Sequence, residues 1–136
     1  MRVISVLLTG AVLASCTAVP PAPTRTAEAQ RDYVLALQGK VPQPPVSCLP
    51  SYHAGDMKTI DADTILFRQG SSRVWVAHMQ GPCTGIESGH YALVTHQFGG
   101  EGLCRGDIAQ VVDTLNRIPI GSCVFGEFTP YVRPRA

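Results

Sequence analysis

Hydrophobic and polar residues alternate with a period of two through most of the chain after Ser47, and this pattern is typical of half-buried β-strands. The stretch 73–79 departs from strict alternation because branched and aromatic residues occupy both parities, so we expect this strand to lie in the centre of a sheet. The predicted strands are 58–61, 64–68, 73–79, 90–96, 107–113 and 122–132.

The segments between these strands are short and rich in turn-forming residues. Asp61 and Asp63 can accept hydrogen bonds from their own backbone, which predicts a hairpin, and 69–72 forms the next turn. The segment 107–113 is ambiguous because Asp107 could cap a short helix, but its β-branched residues favour a strand. We therefore predict a mainly β fold, a small antiparallel sheet of about six short strands rolled into a barrel or sandwich. The expected core residues are Phe67, Trp75, Leu93, Val112, Phe125 and Phe128.

One helix is predicted before the strands, at 27–38. Thr26 is placed to cap it, Glu28 lies in its first turn and Gly39 follows its end. Proline-rich stretches flank this helix and should be extended, so 16–46 is interpreted as a tether that contains a short helix. Two roles for the helix stay open, light packing on the domain or binding of a partner.

The chain begins with Met1, Arg2 and an apolar run that is too short to span a bilayer, as in a secretory signal peptide. The run ends in Leu13-Ala14-Ser15-Cys16, which resembles the signal of bacterial lipoproteins. The resemblance implies cleavage before Cys16 and acylation of its sulfur, for instance with palmitate. It divides the chain into a signal peptide (1–15), the acylated tether (16–46) and a β domain (47–136). The alternative is an ordinary secreted protein cut after Ala14.

A lipid anchor of this kind places the protein in the cell envelope. Thr17 follows the acylated residue, and the enterobacterial retention signal for the inner membrane is an aspartate at that position. We therefore expect an outer-membrane anchor with the domain facing the periplasm. The implied partners are the membrane itself, through the anchor, and an envelope protein.

Four further cysteines are present in a compartment where disulfides persist: Cys48, Cys83, Cys104 and Cys123. Four cysteines allow three pairings. We favour Cys83 with Cys104, which flank one strand, and Cys48 with Cys123, which would fasten the start of the domain to its last strand. No C-x-x-C pair suggests a zinc or redox site, so neither metal nor cofactor is expected.

Catalytic and nucleic-acid-binding features are weak in this sequence. The formal net charge is only +1, with no basic cluster, so nucleic acid is not an expected partner. There is no G-x-S-x-G elbow and no phosphate-binding loop. An enzyme, such as a cell-envelope hydrolase, would require one of His78, His90 and His96 to meet a carboxylate such as Asp107 or Glu127.

Three cysteine-containing segments carry a resemblance to a known family: Pro45-Val46-Ser47-Cys48-Leu49-Pro50, Gly102-Leu103-Cys104-Arg105-Gly106-Asp107 and Gly121-Ser122-Cys123-Val124-Phe125-Gly126-Glu127-Phe128-Thr129-Pro130-Tyr131. With the strands between them they resemble a family of small alphaproteobacterial lipoproteins, a domain of unknown function. The resemblance implies an exported, disulfide-stapled domain and no particular activity.

A shorter motif, Ser88-Gly89-His90-Tyr91, is similar to the loop that periplasmic inhibitors of C-type lysozyme insert into the enzyme's cleft. It is one residue shorter than the family's motif, and the second, lysine-glycine motif is missing. If it held, Ser88 and Tyr91 would be the inserted residues. The leading hypothesis is a non-catalytic, membrane-anchored binding or accessory domain, with the inhibitor and the hydrolase as alternatives.

Overall fold

The computed structural model describes residues 25–50, 56–86, 89–96 and 102–135. The signal peptide (1–15), Cys16 and Ser88 lie outside these ranges, so what the sequence predicts for them stays a prediction. The described elements are helix α1 (Ala27–Leu37) and strands β1 (Val41–Pro42), β2 (Cys48–Leu49), β3 (Met57–Asp61), β4 (Thr64–Gln69), β5 (Arg73–Met79), β6 (Tyr91–His96), β7 (Leu103–Cys104), β8 (Ile108–Asp113) and β9 (Ile118–Val132).

The main sheet is antiparallel and has the strand order β3-β4-β5-β9-β8-β6, with the short β1 added along β9. It curls into a half-barrel, which confirms the mainly β prediction. Strand β5 lies between β4 and β9, as its apolar faces predicted. Strand β9 is long enough to pair with β8 through its first half and with β5 through its second half. Gly126 lies at the change of partner, where a Cβ atom would come within 2.4 Å of the His78 carbonyl oxygen.

The concave side of the sheet holds the core. Phe125 lies 6.4 Å from Phe67 and 5.9 Å from Phe128, measured between ring centroids, and Trp75 is buried with them. Leu93 packs against this core but is only partly buried. Val112 is not a core residue, because the alternation of β8 turns Ala109 and Val111 inwards and Val112 outwards.

Helix α1 covers the convex side of β3, β4 and β5. Its Ala29, Tyr33, Ala36 and Leu37 pack on a second buried cluster formed by Ile60, Leu66, Val74 and Val76. The helix begins after Thr26, whose hydroxyl accepts the Ala29 amide, and Gly39 follows it with a φ of 69°. Helix position, cap and stop are as the sequence predicts.

The segment 25–46, predicted as part of the tether, packs on the sheet and pairs with it. Besides the packing of α1, β1 pairs with the end of β9, and Pro42 is tolerated there because β1 lies at the edge of the sheet. The Val46 amide donates to the Phe128 carbonyl, and the Phe128 amide donates back to Val46. The prolines favour an extended backbone in this segment, and that extended backbone pairs with β9.

All four cysteines of the domain form disulfides, but the pairing we favoured, Cys83 with Cys104 and Cys48 with Cys123, is wrong. The bridges join Cys48 to Cys104 and Cys83 to Cys123. Strand register explains the first, because β2 pairs with β7 so that Cys48 and Cys104 are directly opposite, with Cα atoms 4.0 Å apart. The chain after β5 returns along β9, where Gln80 donates to Val124, and this brings Cys83 to Cys123.

The ambiguous segment 107–113 is a strand, β8. Asp107 does not cap a helix. Its buried carboxylate accepts the Cys104 amide at 2.7 Å and closes the turn that connects β7 to β8. The Asp107 amide donates back to the Cys104 carbonyl, so the turn is held from both ends next to the first disulfide.

Candidate functional site

The convex side of the sheet is only half covered. Helix α1 lies over β3, β4 and β5, whereas no described element lies over the outward side of β6, β8 and the first half of β9. Side chains that are paired across these strands point the same way, so the outward rows can be assigned from the register. We call this surface the uncovered face; it consists of Ala92, Val94, His96, Ile108, Gln110, Val112, Pro119, Ser122 and Val124.

Six of the nine side chains of the uncovered face are apolar, and the face carries no carboxylate, lysine or arginine. Val94, inside β6, is 43% exposed and Ile108, the first residue of β8, is 39% exposed, although both are large hydrophobic residues. Strand β6 forms one side of it, and among the described residues β6 pairs only with β8. The face therefore combines exposed apolar side chains with the last strand of the sheet, a combination that favours association with another protein.

The open side of the half-barrel is a seam between the two end strands, β3 and β6. The hydroxyls of Thr59 on β3 and Tyr91 on β6 are hydrogen-bonded to each other across this seam. Tyr91 is half-buried and its ring packs against the core. The bond joins the two ends of the sheet without any backbone pairing between them.

A cavity of about 430 Å³ opens at the seam, between α1, β3 and the chain that leads into β6. We call it the seam pocket; it is lined by Thr26, Glu28, Ala29, Asp32, Thr59, Ile60, Ile86, Gly89 and Tyr91. Its two carboxylates come from α1. Asp32 is paired with Lys58 at 2.8 Å, which leaves Glu28 as the exposed acidic group at the rim.

The three histidines named as candidate catalytic residues lie apart in the sheet. His78 is on β5, paired with Thr64, and His96 ends β6, opposite Ile108. His90 precedes β6, and its carbonyl accepts the Thr114 amide at 3.0 Å. Asp107 is buried in its own turn.

His78 and Glu127 do line one shallow depression, of about 550 Å³, together with Arg105. The carboxylate of Glu127 lies 3.3 Å from the Arg105 guanidinium, so its ion-pair partner is the arginine. Both members of that pair are about half exposed. The arrangement presents an exposed ion pair beside an exposed imidazole.

Arg25 fastens the start of α1 to the β3–β4 turn. Its Nε donates to Asp61 at 2.5 Å and its terminal nitrogens donate to Thr64 and Gln30, while the guanidinium stacks on Tyr33 at 4.3 Å. Asp61 is buried and also accepts the Asp63 amide. Burial between α1 and the sheet raises the pKa of Tyr33, and a hydrogen bond with Tyr131 adds to the rise. This network positions α1 on the sheet.

Asp113 organises the turn between β8 and β9, at one end of the uncovered face. Its carboxylate accepts the amides of Asn116 and Leu115, at 3.0 and 2.7 Å. These two hydrogen bonds hold the pKa of Asp113 below its ordinary value. Arg117 completes the turn with a φ of 59°, and Leu115 at the tip is exposed.

Comparisons with known proteins do not assign the chain to a family. No protein-family model, curated protein or solved structure matches the chain. In the part of the chain that the structure describes, no helix is long and apolar enough to cross a membrane. The same residues include no cluster of three or more histidine, cysteine, aspartate or glutamate side chains that could hold a metal ion.

Of the residues of the uncovered face, sequence reasoning named only His96 as a site, and it did so as a candidate catalytic residue. The signal was present in β6, where Tyr91 and Leu93 fill the inward parity while Ala92 and Val94 place apolar side chains on the outward parity as well. A strand at the end of a sheet with one face exposed should alternate with polar residues. The apolar second face of β6 was therefore the clue.

Proposed function

We propose that this protein is a lipid-anchored protein of the bacterial cell envelope, whose β domain binds another envelope protein and carries out no chemistry itself. Acylation at Cys16 would hold it in the outer membrane, with the domain on the periplasmic side. The sequence Leu13-Ala14-Ser15-Cys16 supports the anchor. The single observation that carries the binding role is the uncovered face.

Free energy explains why the uncovered face favours a partner. Burying apolar surface contributes roughly 25 cal/mol per Å², and Val94 and Ile108 leave a large part of theirs in water. A partner that covers them gains this term without having to desolvate a fixed charge. Strand β6 adds the backbone groups of the sheet's last strand, to which an extended segment of the partner can pair.

The hydrolase and the inhibitor are less well supported by the contacts. In the hydrolase hypothesis Glu127 should act with His78, but its carboxylate is paired with Arg105. In the inhibitor hypothesis Tyr91 should be free to enter a lysozyme cleft, but its ring packs on the core and its hydroxyl is bonded to Thr59. Lysozyme activity in the presence of a micromolar excess of the domain tests the inhibitor hypothesis directly.

The anchor and the binding role have separate tests. For the anchor, cells are labelled with palmitate; we expect incorporation into the protein and its loss in Cys16→Ala. Unchanged labelling in that variant would refute acylation at Cys16.

For the binding role, intact host cells are treated with a short chemical crosslinker, and the protein's own mobility is followed. We expect a slower band that Val94→Glu abolishes and that Ser72→Glu, in the exposed β4–β5 turn, preserves. A slower band that survives Val94→Glu would show that the partner binds elsewhere. A ladder at multiples of the protein's own mass would identify the partner as a second copy.

A further inference from the structure

Helix α1 carries exposed apolar side chains on the side that faces away from the sheet. Its inward residues are buried on the convex side, but Val34 is 54% exposed and Leu35 is 65% exposed. Together with Gln30 and Arg31 they line an almost wholly apolar surface depression of about 290 Å³. A helix that packs on its own domain needs no apolar residues on this outer side.

A basic depression of about 400 Å³ adjoins this apolar depression, and Leu35 lines both. Lys40, Lys58 and Arg68 line it, against the single carboxylate of Asp32. Lys58 is 2.8 Å from Asp32, and Lys40 donates to the Ala36 carbonyl, which leaves the charge of its ammonium group unneutralised. The depression is therefore positive, although the whole chain has a formal charge of only +1.

The third observation is the short covalent connection between α1 and the lipid anchor, and it rests on the proposed function. If Cys16 is acylated, eight intervening residues, or nine Cα-to-Cα steps, separate it from Arg25, the first residue described. A chain of that length spans at most about 30 Å even when fully extended. Helix α1 starts two residues later, so it is the described element tied most closely to the membrane.

We propose that the outer side of α1, formed by Arg31, Val34 and Leu35, and the adjoining basic depression dock on the anionic lipid headgroups of the membrane that holds Cys16. The apolar pair enters the boundary between headgroups and acyl chains, and the cations meet the lipid phosphates. Docking fixes the orientation of the domain on the membrane. The uncovered face, on the other half of the convex side, is then left for the protein partner.

The test uses the mature chain with Cys16→Ala, oxidised so that both disulfides are formed, and vesicles of phosphatidylcholine with or without phosphatidylglycerol. We expect the unanchored chain to partition onto the anionic vesicles only, and to be released by high salt. Val34→Glu should abolish this partition, whereas Val94→Glu on the uncovered face should preserve it. Removal of the Arg68 charge by Arg68→Gln should weaken it about fivefold.

Two outcomes would overturn the proposal. One is equal partition, or none, on the two kinds of vesicle. The other is loss of binding in Val94→Glu but not in Val34→Glu, which would mean that the uncovered face contacts the lipid. Because the variant has no anchor, its partition is independent of acylation. Failure of palmitate labelling in the wild type would therefore refute the proposed anchor without changing the result of the partition experiment.

Discussion

Thr59 and Tyr91 are hydrogen-bonded to each other across the open side of the curled sheet, so that a pair of side chains joins the two end strands. In a closed barrel, a ladder of backbone hydrogen bonds would do the same. The bond connects β3 to β6 beside the seam pocket, which both residues line. The seam is consequently where single side-chain changes should loosen the sheet.

The first prediction concerns this bond. Tyr91→Phe keeps the ring in the core and removes the hydroxyl, so the free energy of unfolding should fall by about 1 kcal/mol. Thr59→Val should cost a similar amount, and the double variant should cost little more than either one, because both remove the same bond. Urea unfolding measures all four proteins. Strictly additive losses would show that the two hydroxyls do not interact.

The second prediction concerns the two disulfides, which differ in accessibility. Cys48 is exposed, whereas Cys83 is 0% and Cys123 6% exposed. An attacking thiolate must reach a sulfur atom, so a limiting reductant should open Cys48–Cys104 first in the folded protein. Alkylation at timed intervals followed by peptide mass mapping gives the order. Earlier opening of Cys83–Cys123 would contradict the burial of that bridge.

The third prediction compares two arginines. Arg25→Ala leaves Asp61 buried without its cationic partner, so the free energy of unfolding should fall by about 2 to 3 kcal/mol. Arg105→Ala breaks an exposed pair with Glu127 and should cost less than about 1 kcal/mol. Urea unfolding of both variants at neutral pH makes the comparison. Equal losses would mean that Arg25 does not anchor α1 to the sheet.

The fourth prediction is a pH dependence that comes from Tyr33. Its pKa is raised in the folded protein, chiefly by burial between α1 and the sheet, so the folded state holds the hydroxyl proton more tightly than the unfolded state does. The stability linked to this proton is fully present below the ordinary tyrosine pKa of about 10 and is lost as the pH rises above it. The advantage of the wild type over Tyr33→Phe should therefore shrink as the pH rises above about 10. A pH-independent difference would contradict the burial of this hydroxyl.

Much of this architecture follows from local sequence patterns. Period-two alternation located β3, β4, β5, β6, β8 and the part of β9 after Gly121, and the apolar faces of β5 placed it inside the sheet. The two-residue strands β1, β2 and β7 and the start of β9 at 118–121 were not predicted. Thr26 and Gly39 marked the limits of α1. These features depend on neighbouring residues, which is why sequence alone supplies them.

Features that depend on distant pairing could not be predicted in this way. The disulfides follow the register of β2 with β7 and the return of the chain along β9, so sequence proximity chose the wrong partners for Cys83 and Cys104. The role of 25–46 depends on pairing with the far end of β9. The uncovered face appears only once it is known which half of the sheet α1 covers.

The central claim is that the uncovered face contacts another protein in the envelope. A photo-crosslinking amino acid placed at Val94 in the host tests it most directly, with the same group at Gln43, an exposed residue just after β1, as the matched control. We expect illumination to give one discrete adduct from position 94, absent from position 43 and lost when Ile108→Glu is added. The same adducts from both positions, or no adduct from position 94, would contradict the claim.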